Sequence, residues 1–138
     1  MRLALEEAHA AYAEGEVPIG AVLVLGDEVI ARDHNRIEQL SDPTAHAEML
    51  CLTAGTSYLR SKYLPQAALY VTLEPCPMCA GAMGWAQLGK VVFAARDPER
   101  GFLRYTPSLL HPKGKWYQGP FGEEALELLQ RFFRERRV

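Results

Sequence analysis

Three consecutive segments in the middle of the chain constrain its fold more than any others. Ala67–Leu73 and Lys90–Ala95 are short apolar runs typical of buried strands. Between them, Cys76–Gln87 is predicted to form a helix, with Pro77 in the first turn, where proline is well tolerated. A strand, a helix and a second strand in this order indicate two parallel strands joined by a right-handed crossover. The chain is therefore expected to have an α/β fold.

The segments on either side of this unit predict further helices and one hairpin. Arg2–Glu14 carries apolar residues near a 3.6-residue period and is followed by Gly15, a frequent helix stop. Two runs rich in β-branched residues flank Gly26-Asp27, which indicates a hairpin. The expected elements are helices over 2–14, about 42–54 and 123–137, strands over 19–25 and 29–31, a loop over 35–43, and a largely irregular segment over 96–119 with an edge strand near Trp116.

The composition is that of an ordinary globular protein, since 49% of the 138 residues are hydrophobic and 23% are charged. This length predicts one domain spanning residues 1–138. No apolar run approaches the roughly 18 residues of a membrane span, so no membrane partner is expected. The first residues lack the pattern of a secretory signal, and the expected location is the cytoplasm.

Charge is unevenly distributed along the chain. The formal net charge is −2, yet residues 1–95 are net negative and residues 96–138 are net positive. A basic C-terminal part can attract phosphate groups, or it can simply be the solvated face of an amphipathic helix. In that helix the apolar residues are expected to face inward and the arginines outward: Leu126, Leu129, Phe132 and Phe133 against Arg131, Arg134 and Arg136.

Two short motifs carry the residues most suited to chemistry, His46-Ala47-Glu48 and Cys76-Pro77-Met78-Cys79. Taken alone, His46 is explained as a hydrogen-bonded surface residue and the cysteines as a redox pair. Together the motifs supply one imidazole, two thiols and a carboxylate. Cys76 and Cys79 lie three residues apart on one face of a predicted helix, whose N-terminal dipole stabilises thiolates, the form that binds metal. The combination predicts a zinc site.

Three protein ligands leave one position of tetrahedral zinc open. Such sites are catalytic rather than structural, and the metal lowers the pKa of a water there to about 7. Glu48 is suited to act as the general base on that water. Because residues two apart on a helix differ by about 200° in direction, His46 and Glu48 are expected to converge only at a frayed first turn. Cys51 lies in an apolar helical stretch and is not expected to bind the metal.

Two alternatives to a catalytic site stay open at this point. Glu48 can stabilise the helix as an acidic residue in its first turn, where a negative charge interacts favourably with the helix dipole. The whole group can also belong to a zinc-stabilised binding module without turnover, although such a module has no use for a carboxylate beside an open position.

The two motifs match the H-x-E and P-C-x-x-C signature of zinc-dependent nucleobase deaminases. The chain resembles one family among them, the bacterial tRNA-specific adenosine deaminases, over nearly its whole length. The segments that carry the resemblance are Val17–Val24, Asp42–Glu48, Leu69–Cys76, Cys79–Met83, Val91–Phe93 with Ala95–Asp97, and Phe132–Arg134.

This resemblance implies a cytidine-deaminase-like fold, a three-layer α/β/α arrangement in which helices flank a five-stranded mixed sheet. It also implies a homodimer that hydrolyses adenosine to inosine at the wobble position of a tRNA, with the anticodon stem-loop as partner. By position in the family, His46, Cys76 and Cys79 would bind one zinc ion per chain, and Glu48 would move protons.

Further residues receive roles from the same resemblance. Asn35 would contact the flipped base beside the backbone of Ala47, and Val17 and Leu73 would wall the pocket. Asp97 would approach the substrate strand. The C-terminal residues expected to contact RNA are Phe132, Phe133, Arg134, Arg136 and Arg137. Purely structural explanations remain for Asn35 as a turn residue, for Asp97 as a loop cap and for the phenylalanines as core.

Part of the sequence is also similar to bacterial guanine deaminases of the same fold. Pro75–Cys79 with Trp85-Ala86 carries this likeness. Residues Gly84–Gln87 are less polar and less basic than the RNA-acting family has there. The alternative to an RNA substrate is therefore a free base, guanine or cytosine.

Overall fold

Helices cover both faces of a five-stranded mixed sheet in the computed structural model, which describes residues 1–136. The expected three-layer α/β/α fold is therefore confirmed. None of the helices among these residues is long and apolar enough to cross a membrane. The elements are α1 (Arg2–Ala13), β1 (Gly20–Leu25), β2 (Glu28–His34), α2 (Ile37–Leu40), α3 (Ala47–Leu59), β3 (Ala67–Leu73), α4 (Pro77–Trp85), β4 (Lys90–Ala95), β5 (Lys115–Gln118) and α5 (Gly122–Arg136), with two single 3₁₀ turns at Phe102–Arg104 and Pro107–Leu109.

The parallel strands end side by side at one edge of the sheet. The strand order is β2-β1-β3-β4-β5, with β1 antiparallel to β2 and β3, and with β3, β4 and β5 parallel. Helix α4 connects β3 to β4, which confirms the predicted strand, helix, strand unit. Leu73 pairs with Ala95, the last residue of β4. In α/β sheets, ligands bind in the crevice outside such carboxyl ends.

The two helical layers pack on opposite faces of the sheet because side chains alternate along each strand. Helices α3 and α4 cover a core that includes the fully buried Leu23, Leu69 and Phe93. Helices α1 and α5 cover the other face. Gly20 allows α1 to approach β1 closely, since a Cβ there would collide with the backbone of Ala4.

Helix α3 begins at Ala47 and runs to Leu59, so the predicted helix over about 42–54 was placed too early. The Asp42 carboxylate accepts hydrogen bonds from the backbone N–H and the hydroxyl of Thr44, at 2.8 and 2.7 Å. These bonds close a local turn, and Asp42 therefore does not cap the helix. Strand β2 is longer than predicted, and β5 confirms the edge strand near Trp116.

Two other expectations need correction. The predicted loop over 35–43 contains α2, because the buried Glu16 carboxylate accepts hydrogen bonds from the N–H groups of Glu38 and Gln39. On α5, Leu126 and Phe133 are exposed rather than inward. The helix is buried along positions 125, 128, 129 and 132, which share one helical face, and each exposed residue lies one position beyond that face.

Candidate active site

The first turns of α3 and α4 meet beside the carboxyl end of β3. His46 immediately precedes α3, Cys76 immediately precedes α4, and Cys79 lies in the first turn of α4. His46 Nδ1 lies 3.7 Å from Cys76 Sγ and 3.5 Å from Cys79 Sγ. All three ligand atoms lie within 4.8 Å of one another. The fold thus brings together the three residues that the sequence predicts as metal ligands.

The position of His46 outside the helix explains how it and Glu48 face the same cavity. His46 has an extended backbone, with φ −73° and ψ 151°, while Glu48 is the second residue of α3. The angular separation of helical residues therefore does not apply to this pair, and no frayed turn is needed. Both side chains line one cavity.

The two thiols lie close enough for one to stabilise the thiolate of the other. A hydrogen bond from Cys79, opposed by burial and reinforced by His46, lowers the pKa of Cys76 to about 4. The same hydrogen bond and burial raise the pKa of Cys79. Cys76 is thus a thiolate at neutral pH, and the partial positive charge of the α4 N-terminus favours that form.

The donor set fits zinc. Thiolate sulfur and imidazole nitrogen are the preferred ligands of zinc, at about 2.3 and 2.0–2.1 Å respectively. Cys51 lies apart from the group, because it is buried within α3 and its thiol donates to the backbone carbonyl of Ala21 at 3.4 Å. Among the described residues, this group therefore consists of one imidazole and two thiols. Three protein ligands are the number found in catalytic zinc sites.

Glu48 is a buried carboxyl group beside these ligands. Only 4% of its surface is exposed, although it lines the cavity. Burial, with a smaller contribution from the charge of Cys76, raises the pKa of Glu48 to about 7. A carboxyl group in this range can both accept and donate a proton near neutral pH.

The cavity above the ligands has a volume of about 770 Å³. Val17 and Leu73 contribute apolar walls, and Asp97 lies on the segment that follows β4. The sequence-predicted residues that line this cavity are Val17, Asn35, His46, Glu48, Leu73, Cys76, Asp97 and Phe133.

Asn35 links the cavity wall to the start of α3. Its side-chain oxygen accepts a hydrogen bond from the backbone N–H of Ala47 at 2.8 Å, and Asn35 is buried. This bond fixes the orientation of the amide, because only the oxygen can accept it. The amide nitrogen is the part of Asn35 left to bind a ligand. Ala47 itself is fully buried and contributes its N–H to Asn35.

The C-terminal helix forms one rim of the cavity. Phe133 is 47% exposed and lines both the cavity and an adjoining groove that also contains Arg134. Phe132 is buried against Tyr12, with ring centroids 6.1 Å apart, and the guanidinium of Arg136 lies 4.6 Å above the Phe132 ring. Arg137 lies outside the described residues.

Four charged residues of the cavity were missed by the sequence predictions, namely Glu74, Arg96, Glu99 and Arg100. Glu74 follows β3 directly, Arg96 follows β4 directly, and Arg100 lies four residues further on. A charged residue immediately after a buried strand is the signal that points to the first two. No local pattern points to Glu99 or Arg100.

A second group of potential metal ligands, Glu7, Asp33 and His34, is an ion-pair network instead. Both ring nitrogens of His34 lie 2.8 Å from a carboxylate oxygen, one of Glu7 and one of Glu14. Arg32 also pairs with Glu7 at 2.6 Å. Histidine and arginine therefore already satisfy these carboxylates.

Known proteins share this fold, and one family model covers the part of the chain that holds the three ligand residues. Residues 1–95 match the family described as the cytidine and deoxycytidylate deaminase zinc-binding region. The fold and the ligand group therefore define a zinc-binding deaminase of the cytidine deaminase class.

More similar relatives show which family of this class the chain belongs to. A tRNA-specific adenosine deaminase from Aquifex aeolicus is 44% identical over 142 residues, which cover 99% of this chain and 93% of that protein. A solved structure from work on A-to-I editing by tRNA:A34 deaminases at the wobble position superposes with a TM-score of 0.87 at 43% identity, covering 94% of this chain and 97% of the other. The chain belongs to the family of tRNA-specific adenosine deaminases.

The guanine deaminases share the fold at lower similarity. The structure of a guanine deaminase from Bacillus subtilis superposes with a TM-score of 0.67 at 29% identity, covering 99% of this chain and 91% of the other.

Proposed function

We propose that the protein hydrolyses adenosine to inosine at the wobble position of a tRNA anticodon, using one zinc ion per chain held by His46, Cys76 and Cys79. The observation that carries this proposal is the buried Glu48 beside a group of three ligands in an open cavity. A zinc ion bound there supplies a Lewis acid that lowers the pKa of a water to about 7.

Glu48 moves the protons of the reaction. Its carboxylate accepts a proton from the attacking water and passes it to the purine ring nitrogen, and it then accepts the second proton, from the hydroxyl group added to the ring, and passes it to the departing amino group. Adenosine and water thereby give inosine and ammonia. The pKa of about 7 supports both directions of transfer near neutral pH.

The cavity walls hold the base in place. Because the oxygen of Asn35 is occupied by the N–H of Ala47, its amide nitrogen donates to an acceptor on the purine ring. Val17 and Leu73 provide apolar surfaces for the faces of the base.

An RNA substrate has to present an unpaired nucleotide, since a base inside a duplex cannot reach this cavity. Phe133 offers an exposed ring at the rim for stacking a neighbouring base. Arg134 offers a charge for the phosphate backbone, and Asp97, in the cavity wall, approaches the substrate strand. Phe132 is buried and anchors the helix, and Arg136 adds positive charge at its end.

Two copies of the chain form a homodimer through the outward face of α4. Met78 and Trp85 are 37% and 87% exposed there, and their spacing of seven residues places them on one helical face. Light scattering is expected to give twice the chain mass, and Trp85→Glu to shift the protein toward the monomer. A parent protein that is monomeric at assay concentrations would contradict the dimer. We propose that the protein acts in the cytoplasm.

A comparison of substrates tests the proposed function. The zinc-loaded protein is incubated with an anticodon stem-loop carrying adenosine at the wobble position, with the same RNA annealed to a complementary strand, with guanine and with cytosine. Inosine in the single-stranded loop and release of ammonia are expected, and the annealed RNA should be inert. Deamination of guanine without any reaction of the stem-loop at any salt concentration would replace this function by that of a free-base deaminase.

A further inference from the structure

Glu74 is a buried carboxylate in the cavity wall that the proposed chemistry does not use. It is 3% exposed as a residue and its side chain is fully buried. It follows the last residue of β3 and stands two residues before the ligand Cys76. A buried carboxylate is costly unless its oxygens are fully hydrogen-bonded, so its partners indicate what it stabilises.

The partners of Glu74 all belong to the segment that follows β4. Oε1 accepts hydrogen bonds from Arg96 Nε at 2.7 Å and from the backbone N–H of Asp97 at 3.0 Å. Oε2 accepts a hydrogen bond from the backbone N–H of Leu103 at 3.0 Å. One carboxylate therefore accepts hydrogen bonds from both ends of residues 97–103, which we call the wall segment.

Contacts within the wall segment support the same arrangement. The Asp97 carboxylate accepts a hydrogen bond from the N–H of Arg100 at 3.0 Å, and the N–H of Phe102 donates to the carbonyl of Pro75 at 2.8 Å. Gly101 leaves the space that the Glu74 carboxylate fills, because a Cβ at this position would collide with it. The wall segment is thus folded around this one side chain.

The wall segment forms one side of the cavity. Its first four residues, Asp97, Pro98, Glu99 and Arg100, all line it.

We propose that Glu74 is a positioning residue that holds the wall segment in place before the substrate binds. The identity of that substrate rests on the proposed function. A wall that is already ordered does not have to lose conformational freedom when RNA binds, which favours affinity. The hydrogen-bond partners of the Glu74 side chain include neither the metal ligands nor Glu48. Loss of Glu74 is therefore expected to raise KM for the stem-loop more than it lowers kcat.

Glu74→Gln is the most informative variant, because the amide keeps the shape of the side chain but only one of its two ends can accept a hydrogen bond. One end of the wall segment is then released. We expect faster amide hydrogen exchange in residues 97–103, a kcat/KM on the stem-loop that falls by about 10- to 100-fold, mainly through KM, and an unchanged zinc content. Glu124→Gln, which removes an exposed carboxylate from the first turn of α5, is the matched control and should behave like the parent.

Gly101→Ala perturbs the same arrangement from the other side, since its methyl group would collide with the Glu74 carboxylate and with the backbone carbonyl of Asp97. It should reproduce the exchange and KM changes, also where Glu74→Gln fails to fold. Unchanged exchange of the wall segment in folded Glu74→Gln would overturn the proposal, as would a lower melting temperature with kcat and KM both unchanged. If the parent protein does not deaminate the stem-loop, the proposed function fails, and hydrogen exchange still decides the role of Glu74.

Discussion

Asn35 is expected to have two separable roles, and two substitutions distinguish them. Its oxygen binds the N–H of Ala47 at the start of α3, and its amide nitrogen is directed to the substrate. Asn35→Ala removes both groups. Asn35→Asp keeps an acceptor for the N–H, and a carboxylate at a helix N-terminus is favourable, but it has no donor for the base.

The expected loss of stability follows from the buried N–H of Ala47. His46 precedes α3 and makes no side-chain capping bond, so Asn35 supplies the side-chain acceptor at this helix end. Removing a capping group costs about 0.5–2 kcal/mol, and leaving a buried donor unpaired costs about 1–3 kcal/mol. We therefore expect Asn35→Ala to lose about 1–2 kcal/mol, which lowers the melting temperature of a chain of this length by about 3–8 °C.

Thermal unfolding of the zinc-loaded proteins and inosine formation on the stem-loop measure the two roles. Asn35→Asp is expected to melt close to the parent, whereas both variants should lose most of their activity. A melting temperature of Asn35→Ala equal to that of the parent would refute the capping role. Near-parental turnover by Asn35→Asp would refute the contact between the amide nitrogen and the base.

Three further experiments test the metal ligands, the ion-pair network around His34 and the rim of the cavity. Cys76→Ser is expected to lose stoichiometric zinc in elemental analysis while Cys51→Ser retains it, and the opposite pattern would contradict the ligand assignment. Burial raises the pKa of Glu7, but its hydrogen bonds to His34 and its other ion pairs lower it overall, below its ordinary value of 4.5. Its carboxylate therefore stabilises the fold above about pH 4.5, and this contribution is lost as the pH falls through the lower, folded-state pKa. In urea unfolding, the deficit of Glu7→Gln should be present at pH 7 and vanish at acidic pH, and an equal deficit at both would exclude this linkage. Arg134→Gln should weaken stem-loop binding and reduce the slope of log K against log salt by about 0.7, whereas an unchanged slope would place Arg134 away from phosphate.

The central part of the fold could be predicted because its signals are local. Apolar runs before and after the Cys76–Cys79 helix identify two buried strands, and the connection between them requires parallel pairing. The ligand residues could be predicted for the same reason, since the residue types and spacing of two short motifs are sufficient to suggest zinc. Their mutual distances depend on how α3 and α4 pack, which no pattern along the chain contains.

The predicted start of α3 was wrong because the segment before the helix contains two side chains that accept backbone hydrogen bonds, and only one of them caps the helix. Asp42 satisfies Thr44 in a turn, and Asn35, twelve residues before Ala47, supplies the acceptor at the helix start. A hydrogen bond between residues twelve positions apart produces no periodic pattern in the sequence. The later start places His46 outside the helix, and this placement lets its side chain share the cavity with that of Glu48.

The contacts of Glu74 and the exposure of Phe133 could not be predicted from the local sequence. The partners of Glu74 lie more than twenty residues further along the chain, on a segment of turns that includes the 3₁₀ turn at Phe102–Arg104. Phe133 belongs to an amphipathic helix whose pattern suggests an inward-facing ring, yet it lies just beyond the face that packs on the sheet. In both cases the deciding factor is tertiary packing rather than local sequence.

Turnover by zinc-loaded Glu48→Gln tests most directly whether this carboxylate moves the protons of the reaction. The substitution keeps the shape of the buried side chain and leaves the three ligands intact, so the fold and one zinc ion per chain should be retained. Inosine formation on the anticodon stem-loop is expected to fall by about 10²–10⁴-fold or more, because one group serves several proton transfers. Near-parental turnover by the folded, zinc-loaded variant would contradict the mechanism.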